Sequence, residues 1–271
     1  MAVVNTNTNA LFAQNALKVN NRNLSTAMEQ LSTGSRINSA KDDAAGMAIA
    51  STMTAEIRGI AQAVRNANDA ISMLQTAEGG MNGISNMLQR MRELAVQAST
   101  GTNSTQQAGY LNTEFEALTT QIGNIASQTT WNGSNILDGT ASGISIQVGT
   151  ASGSVLTLSV GNVDASALDI SGVTISSTTS ASSALDTIDT ALTTLNGFRA
   201  TIGASINQLT YAADNLTNVQ QNYAASRSQI ADTDYATATS NMARAQIIQQ
   251  AATAMLAQAN QTPQYVLALL K

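Results

Sequence analysis

Two stretches of this chain repeat apolar residues at steps of three and four. In the first they are Met53, Ile57, Ile60, Val64, Ala67, Ile71 and Leu74. In the second they are Leu185, Ile188, Leu192, Leu195, Phe198, Ile202, Ile206 and Leu209, continuing through Leu216 and Tyr223. That spacing draws one apolar stripe along a helix, and the stripe is buried when the helix lies lengthwise on another. A chain with two such seams is held to long, side-by-side helices.

The flanking segments extend the pattern. Leu17, Leu24, Met28 and Leu31 recur at helical spacing, so residues 2–32 read as a helix on an Asn/Gln-rich background. The polar run "STGSRINSAKDD" ends it. Asp42 and Asp43 then stand where a cap and a first-turn residue belong, just before "AAGMAIASTM". The glycines of "AEGGMNG" predict a bend or weak point, since each costs a helix roughly 1 kcal/mol relative to alanine. The period resumes with Ile84, Leu88, Met91 and Ala95, and a further helix over about 104–129 carries Leu111, Phe115, Leu118 and Ile122.

A different pattern follows. "WNGSNILDG" contains an Asn-Gly turn. Ile144, Ile146 and Val148 alternate, as do Leu156, Leu158 and Val160, on either side of "GTASGS", which reads as a β-hairpin. Residues 161–184 are rich in Ser, Thr and Gly and read as irregular. A final helix is expected over about 235–261. No charge occurs from Ala245 to Leu270, but the recurring glutamines forbid a membrane span.

Composition removes whole classes of function. Histidine and cysteine are both absent, so Cys/His zinc sites, thiol nucleophiles and Ser-His-Asp triads cannot be built. No cofactor is expected. The net charge of −5 argues against nucleic acid or an anionic membrane as partner. Asp42 with Asp43, and Asp232 with Asp234, are helix-end charges rather than acid/base pairs, because no nucleophile or metal ligand accompanies them. The amino terminus, "MAVVNTNTNALFAQNAL", lacks the basic-then-apolar order of a secretory signal peptide.

The expected fold class is mainly α: a long antiparallel helical coiled coil or bundle, with a small β-hairpin region near 140–175 and the N- and C-terminal helices paired. The layout is mirrored, with uncharged apolar helices at both ends. Two slim helices cannot bury both apolar faces between them. The closing "YVLALLK" therefore reads as a surface completed by other copies of the same chain.

Three segments carry a resemblance: "LSTGSRINSAKDDAAGMAIA", "LQRMRELAVQAS" and "SRSQIADTDYATATSNMARAQIIQQAATAMLAQANQTPQYVLALLK". In this order and separation they closely resemble bacterial flagellin, in a short form without the large variable outer region. The resemblance implies a secreted structural subunit, not an enzyme, that polymerises into the extracellular bacterial flagellum for motility. Residues 1–43 and 232–271 would form a terminal coiled-coil domain lining the filament core, and 44–231 a helical-bundle domain. Polymerisation contacts are expected at Leu11, Leu17, Leu24, Ile248, Leu256, Val266, Leu267, Leu269 and Leu270.

The same resemblance implies partners: the chain itself in a helical homopolymer, the filament cap and hook-associated proteins, a flagellar export chaperone, and the type III export apparatus. It also implies innate immune recognition. Arg90, Leu94 and Glu114, with Gln89 and Glu93 beside them, fall on positions recognised by Toll-like receptor 5, and the leucine-rich end resembles the segment seen by inflammasome sensors. The alternative is a hook–filament junction protein, which shares the terminal architecture. Ser and Thr in 139–184 are either O-glycan carriers or ordinary solvated residues.

Overall fold

The computed structural model describes residues 6–268, with side chains described through Gln261. Five helices and two short hairpins follow in order: α1 (Thr8–Thr33), α2 (Ala44–Ala98), α3 (Thr105–Gln128), β1 (Thr130–Trp131), β2 (Ser134–Asn135), β3 (Ser142–Gln147), β4 (Val155–Ser159), α4 (Thr178–Ala231) and α5 (Tyr235–Ala268). The chain divides into two compact units, residues 1–55 with 222–271, and Glu56–Gln221. The sequence breaks point instead to borders at 43/44 and 231/232. Where a helix is interrupted is not where packing changes partners, because α2 and α4 are continuous through both unit borders.

In the terminal unit α1 and α5 run antiparallel. The buried and half-buried positions of α1 are Ala10, Ala13, Leu17, Asn20, Leu24, Ala27 and Leu31; those of α5 are Ala238, Met242, Ala245, Gln249, Ala252, Leu256 and Ala259. Both series step by three and four. Alanines at so many seam positions let the two backbones approach closely. Asn20 fixes the register, its buried amide donating to the Ala245 carbonyl at 2.8 Å.

Both helix ends of this unit are closed by polar side chains. Asn7 caps α1, its Oδ1 accepting from Ala10 N at 3.0 Å, while its amide donates across to the Ala259 carbonyl at 2.8 Å. Pro263, four residues on, has no N–H to offer that carbonyl. α1 stops at Gly34, which takes the left-handed conformation (φ 70°) that a helix C-cap needs. The Gly34 carbonyl accepts from Thr233 N at 2.9 Å, and Arg36 N donates to the Ala231 carbonyl at 2.7 Å. The α1–α2 break and the α4–α5 break are thus stapled to each other. Asp43 accepts from Gly46 N at 2.8 Å, capping α2, while Asp42 closes the preceding turn through Asn38 and Ser39. Asp234 caps α5. Of the carboxylates expected at helix ends, Asp43 and Asp234 cap helices, while Asp42 lies in the turn before α2 rather than at its cap.

The second unit has one continuous core. Leu74, Met81, Ile84, Leu88, Met91 and Leu94 of α2, Phe115 and Ile122 of α3, and Ile188, Leu195, Ile202 and Leu209 of α4 are all essentially inaccessible. α2 is not interrupted at "AEGGMNG"; it is one helix from Ala44 to Ala98. Gly80 instead makes room, since a Cβ there would press on Leu137 and Thr129. At Gly80 the close packing on Leu137 and Thr129 offsets the glycine's helix cost.

The Asn-Gly turn joins β1 to β2 with Asn132 at φ 49° and Gly133 at φ 80°, the left-handed pair of a type I′ hairpin. β3 and β4 pair antiparallel as the alternation predicts, Ile144 opposite Leu158 and Ile146 opposite Leu156. The hairpin lies on α2, where Asn66 donates to the Gln147 carbonyl and Thr150 covers Gly59. The segment after it is irregular but not solvated: Val163, Leu168, Ile170 and Ile175 are buried to 3 % exposure or less. Asn112 of α3 accepts from Ile175 N at 2.8 Å and ties it down. α4 then begins at Thr178, several residues before its first large apolar seam residue, because small Ala181 and Ala184 open the seam.

Candidate assembly and recognition surfaces

The terminal unit turns its large apolar side chains outward. With alanines occupying the α1–α5 seam, Leu11 is 57 % exposed, Phe12 79 %, Ile247 67 % and Met255 66 %. Ile248 is also exposed. Phe12, Ala13, Ala16, Ile248, Ala252 and Met255 line one apolar hollow of about 550 Å³. A large ring and long thioether held in water are costly, since burying such a side chain is worth roughly 1.5–3 kcal/mol. This is the surface of a part that is finished by contact with another part.

The expected polymerisation residues therefore divide. Leu11 and Ile248 are on the open face; Leu17, Leu24 and Leu256 are half-buried in the α1–α5 seam and hold the pair together. Leu269 and Leu270 lie outside the described residues, as do the side chains of Val266 and Leu267. Phe12, Ile247 and Met255 were missed by helical periodicity. They fall off the three-four seam, and that is the signal: an apolar residue out of register with its own seam faces outward.

On the second unit α2 presents a charged face. Arg90 Nε donates to Glu114 of α3 at 2.9 Å and its Nη1 to Glu93 at 3.0 Å. The bond to Glu114, then that to Glu93, holds the Arg90 guanidinium even more firmly protonated than usual. Two residues on, toward the other side of the helix, Arg92 grips Asp189 of α4 in a two-pronged contact at 2.6 and 3.3 Å. This contact depresses the Asp189 carboxyl below the ordinary carboxylate range. Gln89, Arg90, Glu93 and Glu114 are all exposed and share one region.

Leu94 does not join them. It is 0 % exposed and belongs to the core cluster. It stands three residues after Met91, on the seam that also buries Leu88, Met91 and Ala95. A contact with an outside protein through Leu94 is therefore corrected to a structural role beneath the charged face.

Among the described residues no helix is long and apolar enough to cross a membrane. The chain matches two family models, the bacterial flagellin N-terminal helical region over residues 4–142 and the bacterial flagellin C-terminal helical region over 185–270. A flagellin of Halalkalibacterium halodurans is 43 % identical over 271 residues, covering 99 % of this chain and 100 % of the relative. A flagellin of Xenorhabdus nematophila is 40 % identical over 311 residues, covering 100 % and 99 %. Among solved structures, Bacillus cereus flagellin aligns with a TM-score of 0.52 at 35 % identity, over 56 % of this chain and 88 % of that one. A flagellar hook-associated protein of Vibrio parahaemolyticus aligns at 0.58 over 70 % and 100 %, but at 17 % identity it shares the fold alone. By both helical regions and by full-length identity, the chain belongs to the bacterial flagellin family.

Proposed function

We propose that this chain is the repeating structural subunit of a bacterial flagellar filament, working outside the cell. The observation that carries this, beside family membership, is the outward apolar face of the paired terminal helices. Repetition multiplies the burial each copy gains, which is what a filament needs. A hook-junction role has less support, because the hook-associated neighbour shares the fold at 17 % identity while flagellins match the whole chain.

Several finer assignments follow from the same reading. The terminal pair, including the residues near 1–43 and 232–271, lines the filament core, and the bundle surrounds it. Export runs unfolded through the type III apparatus with a chaperone on the C-terminal part, and growth occurs beneath a cap on hook-associated proteins. In a host, Gln89, Arg90, Glu93 and Glu114 form the face that Toll-like receptor 5 takes on the monomer, and the chain's end serves inflammasome sensors. The exposure and mutual ion pairing of that face support the first of these.

Assembly is tested by polarising the open face alone. Phe12→Ser with Met255→Ser should leave the bundle's melting unchanged and raise the critical concentration for filaments more than tenfold, read by sedimentation of seeded monomer. Filaments forming at the wild-type concentration would remove the terminal hollow from the assembly contact.

A further inference from the structure

The distribution of titratable groups carries a property that filament assembly does not require. The chain has no histidine and no cysteine, and its lysines are Lys18, Lys41 and Lys271. None lies in the Glu56–Gln221 unit, whose cations are Arg58, Arg65, Arg90, Arg92 and Arg199. Lysine is among the commonest residues of ordinary domains, so a bundle of this length without one is a marked bias.

The structure gives that bias a function in packing. Every ion pair among the described residues uses arginine: Arg36–Asp43, Arg90–Glu93, Arg90–Glu114, Arg92–Asp189 and Arg199–Glu78. Within the bundle these pairs tie α2 to α3 and to α4. No helix has a basic residue in its last turn. The described C-caps use backbone N–H groups instead, Gly34 to Gln30 and Thr129 to Ile125. Lys18 and Lys41 border one polar hollow of the terminal unit, with Arg22 and Glu29, and make no ion pair among the described residues. Tyr110, Tyr211, Tyr223 and Tyr235 are exposed and belong to none of these pairs.

We infer that this subunit is built for alkaline surroundings: no ion pair or helix end in its bundle depends on an amine or imidazole. Carboxylates are ionised above about pH 5, and guanidinium keeps its proton past about pH 12. Across that interval α2 stays tied to α3 and α4 by unchanged charges. A lysine-paired bundle behaves differently. Pairing raises the ammonium's folded pKa above its unfolded value near 10.4, so its stabilisation is full below that pH and is lost as pH rises through the folded value.

Melting of the full-length monomer tests this without reference to filaments. Wild type should hold its bundle melting point within about 2 °C from pH 7 to pH 9.5. Arg92→Lys with Arg199→Lys should match it near neutrality and fall about 3 °C further by pH 11.5. Should that double variant fold poorly, Arg92→Lys alone is compared in the same way. A wild-type melting point sliding by more than about 5 °C below pH 9.5 overturns the proposal. So does a lysine variant that tracks wild type to pH 11.5. A second arm rests on the filament reading: wild-type critical concentration should change less than twofold between pH 7 and pH 9.5. Failure to polymerise at any pH would count against that reading and leave the melting result standing.

Discussion

Asn20 sits buried in the α1–α5 seam and donates to the Ala245 carbonyl at 2.8 Å. It occupies a core position that the neighbouring layers give to leucine and alanine, and a lone polar residue there selects one register over its neighbours. Asn20→Ala deletes the bond and leaves a gap. A net loss of about 1 kcal/mol raises the critical concentration roughly fivefold. Sedimentation of seeded monomer measures it, and a variant assembling at the wild-type concentration would show the register to be set elsewhere.

Arg90 and Leu94 allow the proposed recognition face to be tested apart from folding. Arg90→Asp should weaken monomer signalling through Toll-like receptor 5 while the bundle stays folded, because the side chain is exposed. Leu94→Asp should lower signalling by a different route. It places a carboxylate in a fully enclosed site, at a cost no smaller than the roughly 2–5 kcal/mol of a buried Leu→Ala change. Reporter cells read together with melting curves distinguish the two. Equal melting points for both variants would put Leu94 on the surface after all.

The Arg92–Asp189 contact has an acid limit. Arg92 depresses the Asp189 carboxyl, so the pair's contribution is present above the unfolded carboxylate pKa near 3.9 and is lost as pH falls through the lower folded value. Asp189→Asn should melt earlier than wild type at pH 7, and the gap should close below about pH 3. A gap unchanged from pH 7 to pH 2.5 would assign the difference to packing rather than charge.

Two glycines respond in opposite directions. A Cβ on Gly161 would enter the ring of Phe198, so Gly161→Ala should destabilise the bundle by about 1–3 kcal/mol. Nothing lies within 4 Å of a Cβ on Gly79, and Gly79→Ala should stabilise α2 by about 1 kcal/mol. Thermal unfolding of the two variants should bracket wild type.

Amine labelling reports where the terminal unit goes. Lys18 and Lys41 are exposed in the monomer. If the terminal helices line the filament core, both should react readily before assembly and slowly after it. Equal labelling in the two states, read by peptide mass, would place these helices on the outside.

The long seams were legible because leucine, isoleucine, methionine and alanine recur at steps of three and four along α2 and α4. The α1–α5 seam was only half legible. Leu17 and Leu24 announced it, but Ala10, Ala13, Asn20 and Ala27 carry no hydrophobic signal strong enough to fix a phase. Without that phase Phe12 and Met255 could not be assigned to the open side. The return segment misled for a related reason: its Ser/Thr/Gly background hid Val163, Leu168, Ile170 and Ile175, which obey no period because no regular element carries them. The charged face was readable residue by residue, yet Leu94 shares its motif and points the other way. Membership of one short string says nothing about which side of a helix is wet.

The return segment also holds one point that its own packing leaves unconstrained. Its core residues flank an exposed turn at Gly172, where φ is 77° and no atom lies within 4 Å of a would-be Cβ. Extra chain entering at such a turn displaces no packed side chain and leaves its two anchors, Ile170 and Ile175, in place. By sterics alone, then, the turn at Gly172 is a point where the chain tolerates added length.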